Sequence, residues 1–378
     1  MRWVVGAAGV GKSAVMQSVV ESRELAVSSH ASFFFSINGR DDGIVTISYQ
    51  FAAKSEPCRR LIEKEITRDP ALLRSSMAKQ FLKLIIEPFI HNPQLNSAGH
   101  VLIIIDDLDE CNDSRTQLEL LHLIAGLCIM YPSSPLVWLI ASRPEQHITS
   151  FFSQPDVAPV YEKEEMVVDS YEARADVEWF LRDELTEIKN RSDSVDPRWP
   201  KEQDLWKLAN AAGGLFAYAD TVVRYIGDVD VGSPASQLSD VLNVIDNHPM
   251  TDVPQEDHPM VLLDALYARI LSNVPLKVMM NTRKLLLALT FDIYGMRLDN
   301  FILVCNWLGM TPDEAYAAIN HLRSVLRVPR RDKAHQESLE LFHKSSMDYN
   351  SDSIQSSLPM ISNTKLNNSW PNVHLKSY

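Results

Sequence analysis

Over the first 170 residues the apolar positions fall into short unbroken runs, while beyond Tyr171 they recur three and four places apart. The runs are Arg2 to Val5, Ala31 to Phe35, Val101 to Ile105 and Leu136 to Ala141. Val101-Leu102-Ile103-Ile104-Ile105 is the clearest of them, because β-branched and Leu residues without alternation suit a strand covered on both faces, as in a parallel sheet. Between the runs, Ser13 to Val20, Val45 to Ala53, Leu72 to Ile90 and Leu118 to Met130 carry helical spacing. Alternating strands and helices predict a doubly wound parallel sheet over residues 1–170.

Helical spacing then continues through Tyr171 to Ile188, Asp204 to Ala212, Leu215 to Ile226, Met260 to Leu271, Leu276 to Leu289, Leu298 to Leu308 and Asp313 to Leu326. This predicts an all-α second half, divided into a helical domain with linker over 171–258 and an incomplete winged-helix-like or helical region over 259–349. Asn190 to Glu202 and Gly227 to Pro259 read as linkers, and 350–378, rich in Ser and Asn, as a disordered tail. No internal repeat is present.

Composition narrows the function classes. No apolar stretch approaches the roughly 20 residues of a membrane helix, so no membrane partner is expected. A formal charge of −13 argues against a nucleic-acid partner, which requires a basic surface. Four cysteines without a CxxC pair fit reduced thiols in a cytoplasmic protein. The run Trp3 to Val10 faintly resembles a signal peptide, but Lys12 cuts it short.

Chemistry enters at Gly6-Ala7-Ala8-Gly9-Val10-Gly11-Lys12-Ser13, which matches GxxxxGK[ST] between a predicted strand and helix. Glycines let successive backbone N–H groups turn toward phosphate oxygens, and the helix start adds the positive end of its dipole. Gly6, Ala8, Gly9, Val10, Gly11, Lys12, Ser13 and Ala14 are therefore the candidate nucleotide-binding residues. Lys12 would reach the β- and γ-phosphates, and Ser13 would place its hydroxyl on Mg²⁺. Asp106-Asp107-Leu108-Asp109-Glu110 follows the strongest strand, at the edge where open parallel sheets bind ligands. Asp106 is the candidate Mg²⁺ partner, Asp109 or Glu110 the candidate that polarises an attacking water, and Arg143 the candidate γ-phosphate sensor. The alternative for Arg143 is a loop cap or an ion pair with Glu145.

These residues resemble a known family. GAAGVGKSA, ASFFFS (Ala31 to Ser36), IIIDDLDEC and ASRPE look like the NACHT ATPases of fungi, close to the nephrocystin-like group. Gly213-Gly214-Leu215-Phe216 resembles their GGLF helix start, and Leu341-Phe342-His343-Lys344-Ser345 their winged-helix motif. The resemblance implies a signal-transduction switch of the STAND type, off with ADP and on with ATP, Mg²⁺-dependent and forming a homo-oligomer through its NTPase domain. It also implies that His343 touches the ADP β-phosphate. Ile37 stands where the family has Arg, with Arg40 the candidate substitute, and Ser346 replaces a core aromatic. Family members also carry an adenine-covering N-terminal segment, an effector region and sensor repeats, so the expectation is a shortened member with weak adenine discrimination. Two other function classes compete: a non-catalytic interaction module, and a P-loop kinase acting on a small acceptor.

Overall fold

The computed structural model describes residues 1–22, 25–35, 42–97, 99–111, 113–192, 195–248, 258–290, 300–343 and 345. Ser36, Ile37, Arg40, Lys344, Ser346 and the 350–378 tail lie outside them. The chain divides into two compact units, Met1–Ala175 with Gly213–Phe216, and Asp176–Ala212 with Ala217–Tyr378.

The first unit is a five-stranded parallel sheet flanked by helices. Its strands are β1 (Arg2–Gly6), β2 (Ser29–Phe34), β3 (Val101–Asp106), β4 (Leu136–Ser142) and β5 (Glu162–Met166), in spatial order β2-β3-β4-β1-β5. Every pairing is parallel; Val5 sits opposite Ser142, and Ile105 opposite Ile140. The side-chain period of two splits the β3 run between two cores. Val101, Ile103 and Ile105 join Trp3, Val5, Trp138 and Ile140 on one face, whereas Leu102 and Ile104 join Val4, Met16 and Ala141 on the other. Helix α1 (Lys12–Glu21) supplies Met16 to that second, smaller core. The larger core receives α2 (Gly43–Lys54), α3 (Glu56–Arg68), α4 (Met77–Phe81), α5 (Ser114–Met130) and α6 (Gln146–Phe152).

Three expectations for this unit differ from the structure. Helix α3 was not anticipated, because its sequence is mostly charged and buries only Cys58 and Ile62, one turn apart. Leu72 to Ile90 is not one helix: a 3₁₀ turn (Pro70–Arg74) stops at Ser75, α4 follows, and Leu82–Ile86 widens into a π turn. Pro88 has no N–H to return to Leu84, and the π turn carries the five-residue bond from the Glu87 N–H to the Leu82 carbonyl before the four-residue bond from Ile90 to Ile86 at 2.8 Å resumes the α ladder. Strand β5 was also missed, since four of its five residues are charged and exposed. It is an edge strand paired to β1, where exposed charge discourages further pairing, and Arg2 bridges to Glu162 at 3.0 Å.

The second unit is mainly helical. Its helices are α7 (Tyr171–Arg191), whose first residues belong to the first unit, α8 (Glu202–Ala212), α9 (Phe216–Ile226), α10 (Pro234–Asn247), α11 (His258–Ser272), α12 (Leu276–Thr290), α13 (Phe301–Leu308) and α14 (Pro312–Ile319). Helix α10 corrects the linker expected over Gly227 to Pro259. Ser233 caps it by accepting from the Ser236 N–H at 3.3 Å, and Leu238, Val241 and Val244 form a buried three-residue stripe. Asp313 to Leu326 is likewise not one helix. It ends at Ile319, and Leu326–Arg327 (β6) pairs antiparallel with Glu340–Leu341 (β7).

If α10 contributes core as described, Val241→Ala removes fully buried methyl groups and costs about 2 kcal/mol, read as a lower urea midpoint. A solvated linker at that position would give no change.

Candidate functional site

The site forms where β1, β3 and β4 end at their carboxyl edge. Gly6 closes β1 in a place with no room for a side chain: a Cβ there would lie 2.9 Å from both the Met166 carbonyl and the Val10 methyl. The loop then turns through half-buried Ala8 and Gly9 and buried Val10 to Gly11, which caps α1 at φ 96°. A side chain at Gly11 would be strained by that φ and would meet the Phe216 ring at 3.3 Å. The first helical bond of α1 runs from Val15 N–H to Gly11 C=O at 3.0 Å, which leaves the amides of Lys12, Ser13 and exposed Ala14 at the orphan end of the helix.

Lys12 is buried and donates to the carbonyls of Gly6 at 3.0 Å and Ala7 at 3.1 Å. Burial lowers its pKa; the nearby carboxylates Asp109 and Asp107 oppose that shift. Ser13 donates to Asp107 at 2.9 Å, a bond that joins the loop directly to the end of β3. The loop and the acidic cluster are therefore on one side of the sheet, as the sequence pattern requires.

Asp106 is fully buried, and neither of its carboxylate oxygens has a well-formed hydrogen bond among the described residues, although the Ser13 hydroxyl and the Asp107 N–H lie close enough to favour its charged form. Burial first, and then the Asp107 charge, push its pKa up to about 7, against the pull of Ser13 and Lys12. Ion-free burial of such a group is costly. An unsatisfied carboxylate next to a serine hydroxyl fits a hard divalent cation that keeps much of its water shell. Asp106 and Ser13 are thus the residues that would hold Mg²⁺.

Sequence reasoning gave Asp107 no role of its own. Its backbone lies in the left-handed region at φ 49°, which turns its side chain back to Ser13, and burial raises its pKa. An Asp tolerates that conformation better than most residues, but nothing in DDLDE distinguishes the second Asp from the first. Asp109 is also buried, and it ties two strand ends together. It accepts from the Arg143 N–H at 2.9 Å and meets the Arg143 Nε at 3.3 Å. Arg143 therefore pairs with Asp109, not with Glu145 as the alternative reading had it. Glu110, half-buried, ends the 3₁₀ turn that begins at Leu108.

His343 belongs to the second unit, where its Nε2 lies 2.8 Å from Asp220, which also receives Arg224 at 2.7 Å. Burial raises the Asp220 pKa, but the hydrogen bonds from His343 and Arg224 outweigh it and hold the carboxyl below the usual range. No helix among the described residues is long and apolar enough to cross a membrane.

Residues 1–143 match the family described as Nephrocystin 3, N-terminal, so the strand, loop and acidic segments of the site all fall within the matched region. No curated protein matches the chain. Among solved structures, the chain is similar to the Walker-type ATPase paby2304 of Pyrococcus abyssi. That similarity covers 93% of this chain and 90% of the other, at 14% identity and a TM-score of 0.39.

The raised pKa of Asp106 carries a stability cost with a defined sign. A carboxyl whose folded pKa exceeds its unfolded value supports folding below the unfolded pKa, and that support is lost as pH rises toward 7. Asp106→Asn should therefore stabilise the nucleotide- and metal-free protein by on the order of 2–4 kcal/mol at pH 8, and by little at pH 4. Denaturant midpoints at the two pH values check this; equal shifts at both would contradict the assignment.

Proposed function

We propose that the chain is a Mg²⁺-dependent, ATP- and ADP-binding switch of the NACHT/STAND signalling type, with slow hydrolysis. The observation that carries the reading is the buried carboxylate of Asp106, without a well-formed hydrogen bond and with its pKa raised by burial, beside a glycine loop whose Ser13 is already bonded to the same acidic segment. In this proposal the amides from Gly9 to Ala14 cradle the phosphates and Lys12 exchanges its two loop carbonyls for phosphate oxygens. Ser13 turns from Asp107 toward the cation. Mg²⁺, when bound, neutralises phosphate charge.

For hydrolysis, we assign the orientation of water to Glu110. Asp109, already bonded to Arg143, acts as the group that positions that guanidinium toward the γ-phosphate. The motif likeness to nephrocystin-like and NACHT proteins, together with the matched family over 1–143, supports the switch reading over a small-molecule kinase. The proposal includes a cytoplasmic location and self-association of the first unit in the ATP state, which light scattering with ATP and Mg²⁺ would register as a rise in mass. His343 is proposed as the residue that distinguishes the ADP state, and its release from Asp220 would be part of the switch.

Lys12→Ala should weaken binding of a fluorescent ATP analogue at least 100-fold in the presence of Mg²⁺, and omission of Mg²⁺ should weaken wild-type binding at least tenfold. Unchanged affinity in the variant would remove the nucleotide reading, and transfer of the γ-phosphate to an added metabolite would replace it with the kinase.

Phosphate release measured under saturating ATP should fall at least 20-fold for Glu110→Gln, with the dissociation constant for ATP changed less than threefold. Equal loss of binding and turnover would place Glu110 in the binding cradle instead.

A further inference from the structure

The second unit contains a cleft of about 700 Å³ whose walls carry charge opposite to that of the whole chain. The chain has 49 acidic residues against 36 Lys and Arg, yet residues 320–335 hold five Lys or Arg, two His and one carboxylate. Three separate elements bring cations to the same space. Lys277 comes from the start of α12, His321 and Arg323 from the turn after α14, and Arg330 and Arg331 from the loop after β6; Asp313 is the one carboxylate lining it.

The walls are held in place from within. Tyr316 donates its hydroxyl to the Pro329 carbonyl at 3.0 Å, which fastens the loop to α14. Arg331 lies over the Tyr316 ring at 4.6 Å and bonds to Asp313 at 2.5 Å. Arg323 is oriented by Asn320 at 3.3 Å and meets Asp230 at 3.5 Å. Those two arginines are thus positioned and partly neutralised. Exposed Lys277 and Arg330 lie in no ion pair with a described residue, so their charge is available to a ligand.

We propose that this cleft is a second binding site, for a small ligand bearing two or more phosphate groups. Concave volume of this size suits a small molecule, and the overall negative charge disfavours an extended polyanion such as nucleic acid. Guanidinium forks match the paired oxygens of a phosphate, whereas Lys277 adds a point charge from α12. Cations from three elements favour a ligand with more than one anionic group over a single phosphate. The site lies wholly within the second unit, and its ligand is independent of the nucleotide loop.

Inorganic tripolyphosphate is the probe, titrated calorimetrically into the full chain carrying Lys12→Ala, with citrate as a non-phosphate polyanion. Binding of tripolyphosphate in that background, weakened at least tenfold by adding Lys277→Ser and Arg330→Ser, supports the proposal. Thermal melts confirm that each variant is folded, and the double variant in an otherwise wild-type chain should bind ATP with Mg²⁺ as before. Absence of tripolyphosphate binding in the Lys12→Ala background, binding unaffected by the two serines, or citrate binding as tightly would each overturn it. Loss of the nucleotide reading itself would leave this readout intact.

Discussion

A carboxylate placed in a fully buried position, with no well-formed hydrogen bond to it, is the constraint around which the first unit is arranged. Asp106 continues an apolar strand flanked on both faces by packed side chains, so the desolvation of its charge outweighs the pull of the Ser13 hydroxyl, the Asp107 N–H and Lys12. A protein built only for stability would place an amide or an aliphatic group there. The cost is accepted at one strand end, where Asp107 adds to it and Ser13 and Lys12 offset only part of it. Such concentration of unfavourable electrostatics at a sheet edge is common at binding sites, and a cation bound there, as proposed, would recover what folding gave up.

The neighbouring donors of the loop are satisfied within the site itself. Lys12 and Ser13 are each satisfied locally, by the Gly6 and Ala7 carbonyls and by Asp107. Neither the buried Lys12 nor the half-buried Ser13 is left orphaned, which would cost about 1–3 kcal/mol for a buried donor. A ligand bound there, as proposed, would exchange one set of hydrogen bonds for another, with net affinity from charge and from the preformed loop. The Asp109 to Arg143 bond serves differently. Because β4 lies between β3 and β1, Arg143 enters the edge between the acidic segment and the loop, and the bidentate contact with Asp109 fixes its place there.

Much of this was legible in the residues, for identifiable reasons. Strands β1, β3 and β4 are covered on both faces, so burial imposed unbroken apolar runs, and the glycine loop has a spacing few other structures require. What escaped has equally physical causes. Strand β5 is an edge whose side chains meet solvent, so hydrophobicity carried no signal. Helix α3 and helix α10 bury narrow stripes, and in α10 the stripe was masked by flanking Pro, Gly and Asp. The break at Ser75 and Ser76 lay inside a run of apolar residues that pattern alone joins into one helix. Within the site, the acidic segment showed that carboxylates gather at the β3 end but not how they divide. Asp107 turns to Ser13 because of a left-handed backbone at one residue, and Asp109 turns to Arg143 because β3 and β4 are neighbours; both facts are tertiary.

The same division of labour explains why Asp107 is an Asp. A left-handed residue followed by a tight 3₁₀ turn could be Gly or Asn at lower electrostatic cost, since the Asp107 carboxylate raises the pKa of Asp106 and its own is raised by burial and by Asp109. Gly would leave the Ser13 hydroxyl without its acceptor, and Asn would accept that bond while removing the negative charge that opposes the burial shift of Lys12. The carboxylate does both, and in doing so keeps the ammonium charged inside a buried loop. Repulsion with Asp106 is therefore the consequence of opposing the burial shift of Lys12 and keeping Ser13 bonded through a single carboxylate.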